Sequence, residues 1–251
     1  MRRLATTLTV LGLCLGFARA GYAADDEAAK IIDKAIKAHF RKGLDKKNQG
    51  TRTKSKGTLH IQGMDLEFTQ EVAAQMPSKF KDVLVLTVMG QTITRTLVYN
   101  GKEAWIRYGD KDLEVTKEIL AEVKEAVDGM AMVEGIFAKD KALKFSLIGE
   151  VKVKDKPAVG LKVSKKGTKE INVYFDKKTG LIVKTESRRR DEMSGEEVTE
   201  ERIITEYQDA AGRKVARKIE ILRDGKVFME AEVTEVKVVE KVDDNEFTKP
   251  Q

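Results

Sequence analysis

Two histidines, His39 and His60, are the side chains best suited to acid–base or metal chemistry in this chain of 251 residues. A catalytic histidine needs a nucleophile beside it, and a zinc site needs several His, Cys or carboxylate ligands at characteristic spacings. The only cysteine, Cys14, lies in an apolar N-terminal run. No Gly-x-Ser-x-Gly elbow, phosphate loop or dinucleotide fingerprint occurs. We therefore expect no catalytic residue, no metal site and no cofactor, and we expect His39 to be a helix residue with a satisfied ring.

An apolar surplus is the stronger chemical feature. The segment Phe80–Met89 is apolar on both faces of a predicted strand, which is more than a one-sided sheet needs. A predicted helix adds Met130 and Met132 near Gly129 and Gly135. Methionines repack easily and glycines loosen helices, so this segment is suited to opening around an apolar ligand. The competing interpretation is an ordinary packed core, because apolar stripes usually form one.

Charged residues make up 35% of the chain, and both signs are interleaved. No basic stripe alternates with aromatic residues, so we expect no nucleic-acid partner. Arg188–Arg190 face Glu196–Glu197 and Glu200–Glu201 across a predicted turn. Cross-strand ion pairing on a solvated hairpin explains these charges, and a docking patch is the alternative.

The N-terminus predicts export. Arg2 and Arg3 precede an apolar run, Leu4–Phe17, and small residues permit cleavage after Ala20 or Ala23. The apolar run is shorter than a transmembrane helix requires. We therefore assign residues 1–23 to a signal peptide and residues 24–251 to one exported domain.

Cleavage after Ala20 also removes Cys14, so the domain is expected to fold without disulfides. The segment ending at Cys14 looks like a lipoprotein lipobox, but Leu13 stands where a small residue is usual. Ordinary cleavage is therefore favoured over lipidation.

A first helix is predicted at the start of this domain. Asp25 and Asp26 are candidate N-caps, and Gly43 is the predicted stop. Its apolar stripe comprises Ile31, Ile32, Ala35, Ile36, His39 and Phe40. A polar, lysine-rich linker, Arg41–Ser55, is predicted to follow.

After this linker the apolar period changes to two, which predicts about a dozen antiparallel strands with short turns. Asn100 and Gly101 predict a two-residue type I′ turn. Such a turn pairs Trp105 near Thr96 and places the indole on the convex side or at a rim, opposite Leu97.

A second helix interrupts the strands, with Thr116 as its predicted N-cap. Its apolar stripe comprises Ile119, Leu120, Val123, Val127, Met130, Val133 and Phe137. A sheet this long twists and must protect its edges, so we expect it to curl. The predicted fold class is α+β, mainly antiparallel β, in which both helices cover the concave face or plug its mouth.

Four segments resemble a known family in their order and spacing: Met76–Phe80, Tyr99–Trp105, Phe175–Lys184 and Asp243–Pro250. They are similar to a proline-containing strand entry, a Gly-Lys…Trp hairpin, a Thr-Gly-Leu hairpin and the C-terminal strand of the LolA/LolB-like periplasmic lipoprotein-carrier superfamily. That superfamily also includes an envelope sensor domain. The resemblance implies an unclosed half-barrel whose helices form a lid over an apolar cavity for acyl chains.

One position departs from the family pattern. Carriers of this family typically have an arginine before the strand-entry proline that latches the lid, and here the residue is Met76. Arg95 is a candidate substitute, since side chains alternate between the two faces of a strand and Arg95 therefore shares a face with Ile93 and Leu97 (we call this alternation parity). Alternatively, its long side chain snorkels to water.

The resemblance implies a carrier, not an enzyme, for the acyl chains of lipoproteins or a related amphiphile. The alternatives are an envelope sensor that uses the same cavity and an interaction module with a filled core. The expected partners are lipid and envelope membrane proteins, and the expected state is a monomer. The candidate ligand-binding residues are Phe68, Leu84, Leu86, Val88, Ile93, Arg95, Leu97, Tyr99, Ile106, Ile119, Val123, Met130, Phe137, Val173 and Phe175.

Overall fold

A computed structural model describes residues 18–40, 50–191 and 195–250, with side chains from residue 26 onward. Its described part contains two α-helices, α1 (Ala18–His39) and α2 (Lys117–Ala138), and one short 3-10 helix, Asp244–Phe247. The predicted lipobox and most of the predicted signal peptide lie outside the described residues.

Thirteen antiparallel strands form a single sheet in the described chain. The strands are β1 (Gly50–Ile61), β2 (Met64–Gln75), β3 (Lys79–Val88), β4 (Gln91–Tyr99), β5 (Ala104–Tyr108), β6 (Lys111–Leu113), β7 (Lys144–Val153), β8 (Lys156–Ser164), β9 (Ile171–Asp176), β10 (Ile182–Arg190), β11 (Glu197–Ala210), β12 (Arg213–Arg223) and β13 (Lys226–Val239). Their order is β6-β5-β4-β3-β2-β1-β13-β12-β11-β10-β9-β8-β7. The sheet is not closed, so the predicted open half-barrel with helices is confirmed.

The two faces of the sheet follow from the strand ladder, because directly opposite residues share a face. Both helices pack on the face that carries Leu161, Val173 and Ile204, which we call the inner face. Direct pairs extend this face across the sheet to β1 and β3. The backbones of β1 and β13 approach so closely at Gly57 that a β-carbon would collide with the carbonyl of Glu230. Glycine at this position therefore allows the sheet to bend sharply.

The first helix differs from its prediction at its N-terminal end. It already runs from Ala18 and passes through Asp25 and Asp26, so these residues do not cap it. The alanine-rich segment before them favours helix, which extends the element upstream. The helix ends at His39, and the predicted stop at Gly43 lies outside the described residues.

The second helix agrees with its prediction. Thr116 is the N-cap, and its side-chain oxygen accepts a hydrogen bond from the Ile119 N–H at 3.3 Å. Lys139 ends the helix in a left-handed conformation, and its N–H is bonded to the last turn. Capping at both ends fixes α2 between β6 and β7.

The predicted linker Arg41–Ser55 is wrong at its C-terminal end. Strand β1 already begins at Gly50, and its polar residues pair with β2 on one side and β13 on the other. Ladder bonds on both sides stabilise this segment although it lacks an alternating apolar pattern.

The turn after β4 is also longer than predicted. Tyr99 pairs with Ala104, and the Asn100 side chain accepts the N–H bonds of Lys102 and Glu103 across a four-residue loop. Trp105 therefore pairs with Val98 and not with Thr96. Its predicted face is correct, because Trp105 packs outside the barrel.

The C-terminal segment is a 3-10 helix rather than the implied closing strand. Phe247 and Val242 from this segment bury Val98 and Ala73 on the outer face. The segment thus covers outer-face residues that would otherwise be exposed. Neither described helix has the length and apolarity that a membrane span requires.

Candidate functional site

The predicted ligand-binding residues fall into three groups on the inner face. The first group is Phe137, Val173 and Phe175, which lie in the core formed by both helices and β7–β10. Val173 is completely buried and Phe175 is nearly so. These side chains pack against other protein side chains, so they belong to the core and not to a surface that a ligand could contact.

The second group lies under the first half of α2. Tyr99 and Leu97 of β4 pack in one cluster with Ile119, Val123 and Met130 of the helix. Ile106, the sixth member, is buried directly opposite Leu97 on β5. The helix therefore reaches across the open sheet and contacts both of its ends.

The third group lies nearer the tips of the β1–β2 and β3–β4 hairpins. Phe68, Leu84 and Leu86 pack with Leu59 and Met229.

Two further predicted residues mark the end of this group. Val88 is half-buried, and Ile93 pairs with Leu86 but is exposed. Met89 at the hairpin tip is 94% exposed. This part of the inner face thus runs from a buried cluster to an exposed apolar rim.

Arg95 lies on the inner face, as its parity predicts, directly opposite Leu84. Its guanidinium pairs with the buried Asp82, whose other carboxylate oxygen accepts a hydrogen bond from Nε2 of Gln70 at 2.9 Å. The Ser55 hydroxyl on β1 donates a hydrogen bond to the side-chain oxygen of Gln70 and so extends the network. The arginine therefore belongs to a polar chain across four strands, and its role as a lid latch stays a prediction.

Two charged residues that the sequence analysis did not select face the space between helix and sheet. Glu134 continues the α2 stripe of Val127 and Met130, the side that packs on the sheet. Arg202 of β11 lies on the inner face, opposite Ile221 and Thr185.

Both side chains are exposed to water, yet both are strongly desolvated. Burial raises the pKa of Glu134, which nearby Arg213 partly offsets. Burial likewise lowers the pKa of Arg202, against the attraction of Glu200. A side chain that keeps accessible surface but loses hydration lies in a recess enclosed by protein. From this combination we infer a recess beside the two side chains, between α2 and the sheet, and we call it the hollow.

Simple patterns in the sequence identify these two residues in retrospect. Glu134 is the acidic residue on an otherwise apolar helical stripe. Arg202 has the inner-face parity of Ile204. The signal is a charged residue at a position where the pattern predicts an apolar one. Such a charge lowers the stability of the fold, so its presence there points to a function.

His39 lies beside the hollow at the end of α1. The N–H of Ile182 donates to its Nε2 at 3.1 Å, so Nδ1 carries the proton and faces the Lys214 carbonyl at 3.4 Å. Rings of Phe137 and Tyr207 pack against it, 4.7 and 5.4 Å away between centroids. Burial lowers the pKa of His39 to about 4. The prediction of a satisfied helix histidine is therefore confirmed.

Two surface cavities are found elsewhere on the sheet. One, of about 720 Å³, is bordered by Lys56, Glu230 and Glu232. The other, of about 500 Å³, lies between β3, β4 and the C-terminal segment. Ladder parity places most of the charged lining of the larger cavity on the outer face. Among the described residues, no group of His, Cys, Asp and Glu is arranged to hold a metal ion.

Comparisons with solved structures identify the architecture. A LolA superfamily protein from Nitrosomonas europaea matches with a TM-score of 0.51 at 13% identity, covering 88% of this chain and 97% of that chain. A DUF1329 family protein from Desulfovibrio piger matches with a TM-score of 0.52 at 10% identity, covering 90% and 97%. No protein-family model and no curated protein matches the sequence. The chain therefore has a LolA-like fold.

Proposed function

We propose that this LolA-like half-barrel is an exported periplasmic binding protein that carries the acyl chains of lipoproteins or a related amphiphile. In this proposal α2 is the lid, the inner face is the floor, and no covalent chemistry takes place. Residues 24–251 act as one domain and as a monomer. Envelope membrane proteins deliver the cargo and receive it.

The proposal rests on the inferred hollow between α2 and the inner face. Glu134 on the lid and Arg202 on the floor are each exposed and desolvated, which supports an enclosed, water-accessible space between helix and sheet. A solid core leaves no room for either side chain.

Apolar surface beside the hollow supplies the driving force for binding. Ile204 belongs to the helix-covered core, and Met229 and Phe68 belong to the cluster toward the hairpin tips. Each buried methylene contributes about 0.8 kcal/mol, so burying ten methylenes contributes about 8 kcal/mol. That amount helps to offset the cost of displacing α2.

The middle of α2 is suited to movement. Gly129 weakens the helix, and a β-carbon there would only just touch Ile171, 3.9 Å away. Met132 is buried next to it and is flexible enough to repack. We therefore propose that α2 lifts from β9 when an acyl chain enters or leaves.

Native mass spectrometry tests the binding proposal. The protein is purified from the periplasm, delipidated, and measured before and after addition of a diacylated lipopeptide. We expect acyl-bearing species in the purified sample and again after addition. A clean apo mass in both samples would refute the carrier role and leave an interaction module. Pull-down from solubilised envelope then tests whether membrane proteins are partners.

An engineered disulfide tests the lid. Gly129→Cys with Ile171→Cys, in a Cys14→Ser background, is designed to join α2 to β9, since a β-carbon at position 129 would lie 3.9 Å from Cγ2 of Ile171. We expect the oxidised protein to exchange a fluorescent acyl ligand much more slowly than the same protein after reduction. Each single cysteine variant is the matched control, because it alters the packing without the link. Equal exchange in the oxidised and reduced forms contradicts a moving α2.

A further inference from the structure

We infer that Arg202 is the binding site for an anionic headgroup, so that the preferred ligand is an amphiphile carrying a carboxylate or phosphate. This inference rests on the proposed acyl-binding function and specifies which end of the ligand the protein recognises. The headgroup lies at Arg202 on β11, and the tail extends over the apolar inner face.

The position of Arg202 places a positive charge inside an apolar setting. Its direct neighbours across the ladder are Thr185 on β10 and Ile221 on β12. Ile204, on the same face, packs into the helix-covered core. On the other side, Ile221 pairs with Met229 of the second apolar cluster. The Arg202 guanidinium thus lies between two apolar clusters. This arrangement suits an amphiphile whose charged headgroup binds the guanidinium while its tail contacts the apolar side chains.

Arg223 on the neighbouring strand provides an internal comparison. Its Nη1 donates to Asp191 at 2.6 Å, its Nε donates to Glu200 at 3.3 Å, and its guanidinium lies 3.6 Å from the centre of the Phe228 ring. Among the described residues, Arg202 makes neither a hydrogen bond nor an ion pair. Arg223 is thus a structural arginine, whereas the donors of Arg202 are available to a ligand.

The charges around this position favour an anion. Glu200, the acidic residue nearest to Arg202 on the inner face, is already engaged by Arg223 and by Arg189, whose Nη1 lies 3.2 Å away. Asp191 is likewise paired with Arg223. Both carboxylates are therefore engaged by arginines other than Arg202.

Desolvation makes this charge costly for the ligand-free protein. Burial is the largest influence on Arg202 and lowers its pKa, while the attraction of Glu200 compensates only in part. A bound carboxylate or phosphate supplies the missing partner and accepts hydrogen bonds from the planar guanidinium in pairs. Such a ligand therefore offsets part of the cost of desolvating the Arg202 charge.

Three probes with the same tail separate headgroup recognition from tail binding: 1-tetradecanol, tetradecanoate and tetradecyl phosphate. Binding of each to the delipidated protein is measured below its critical micelle concentration by competition with a fluorescent acyl probe. We expect the anions to bind about tenfold or more tightly than the alcohol, as charge-assisted hydrogen bonds require. Arg202→Gln is expected to abolish this preference and to leave alcohol binding nearly unchanged. Arg202→Lys should restore part of the preference, and Arg107→Gln, which removes an arginine of the outer face, should retain it.

The outcomes distinguish this inference from the function on which it rests. If the protein binds none of the three probes, both are wrong. If it binds all three equally, the acyl-binding function holds and the headgroup site is refuted. If the anion preference survives Arg202→Gln, the assignment to Arg202 is refuted. A preference for both anions identifies a general anion site, and a preference for the phosphate alone identifies a phospholipid-type headgroup; both outcomes support the inference.

Discussion

Charged residues on the two sides of the sheet differ in whether they form ion pairs. On the outer face, Lys184 lies over the Tyr174 ring and pairs with both Glu186 and Glu201. On the inner side, Arg202 of the sheet and Glu134 of α2 have no ion-pair partner among the described residues, although Arg95 and Arg223 of the inner face are paired. Paired charges are sufficiently explained by stability and solubility, whereas these two desolvated charges lower stability. The difference teaches that the inner face is not optimised for folding alone.

The inner face also differs in packing between the region near β7–β9 and the region near β11. Near β7–β9 the helices lie directly on the sheet, and Leu161, Val163 and Ile136 are completely buried. Near β11 the inner face instead carries Arg202, which is exposed yet desolvated. Most of the packing that stabilises the fold therefore lies near β7–β9, and we propose that a ligand is accommodated nearer β11.

The largest effect is expected in the packed region. Ile136→Ala removes a fully buried side chain from the core of both helices and should cost about 2 to 5 kcal/mol. Urea unfolding followed by circular dichroism measures this loss. Val227→Ala, at an exposed position on β13, is the control and should change stability by less than about 0.5 kcal/mol. Similar losses in both variants would contradict the assigned core.

The next comparison is between two of the inner-face arginines, Arg223 and Arg202. Arg223→Gln breaks two ion pairs and a cation–π contact and should cost about 2 to 3 kcal/mol. Arg202→Gln removes a desolvated charge without a partner and should leave the free energy of unfolding unchanged or raised. Both values come from the same denaturation assay. A larger loss for Arg202→Gln would show that this residue is structural.

The lowered pKa of His39 predicts a pH dependence of the free energy of unfolding that is similar in size. Its pKa falls from 6.5 to about 4 on folding, so the unfolded chain binds the proton more tightly. The stability that His39 contributes is complete above the unfolded pKa and is lost as pH falls from about 6.5 toward 4. Between about pH 7.5 and pH 5 the loss should be about 2 kcal/mol.

Unfolding experiments at the two pH values test this, with His39→Gln as the variant that should flatten the profile. Glutamine keeps an acceptor for the Ile182 N–H. Glu134 acts with the opposite sign, because its raised pKa makes the folded state more stable as pH falls. Glu134→Gln should therefore steepen the loss, and an unchanged profile in His39→Gln would assign the effect to other groups.

The smallest effect concerns Trp105. It packs on the outer face against Val98 and Phe247, away from the hollow. Addition of an acyl ligand should therefore leave its fluorescence emission maximum unchanged, whereas Phe247→Ala should shift it to the red. A ligand-induced shift without such a substitution would place the ligand on the wrong face.

Much of this architecture follows from local patterns. The parity of Leu97, Ile106 and Trp105 was correct because side-chain alternation needs only one correct strand assignment. The Thr116 cap was correct because a short side chain satisfies a specific backbone N–H. The start of β1 at Gly50 was missed, since this segment is a strand only through its pairing with β2 and β13.

The candidate site was less accessible to the same reasoning. Apolar periodicity selects Val173 and Phe175, which prove to be packed, since it does not distinguish a core from the wall of a cavity. Glu134 and Arg202 interrupt that periodicity. Their relevance emerges only when the distant strands and the helix are brought together, because isolation from partners is a property of the tertiary structure.

The existence of an accessible hollow is tested most directly by a thiol placed within it. Thr185→Cys, in a Cys14→Ser background, puts a sulfhydryl directly opposite Arg202 and leaves the arginine intact. We predict that the delipidated folded protein reacts with a small maleimide and that tetradecanoate slows this reaction severalfold. Thr87→Cys on the outer face should react at the same rate with and without the ligand. An unreactive thiol at position 185, or a rate that the ligand does not change, would contradict the account.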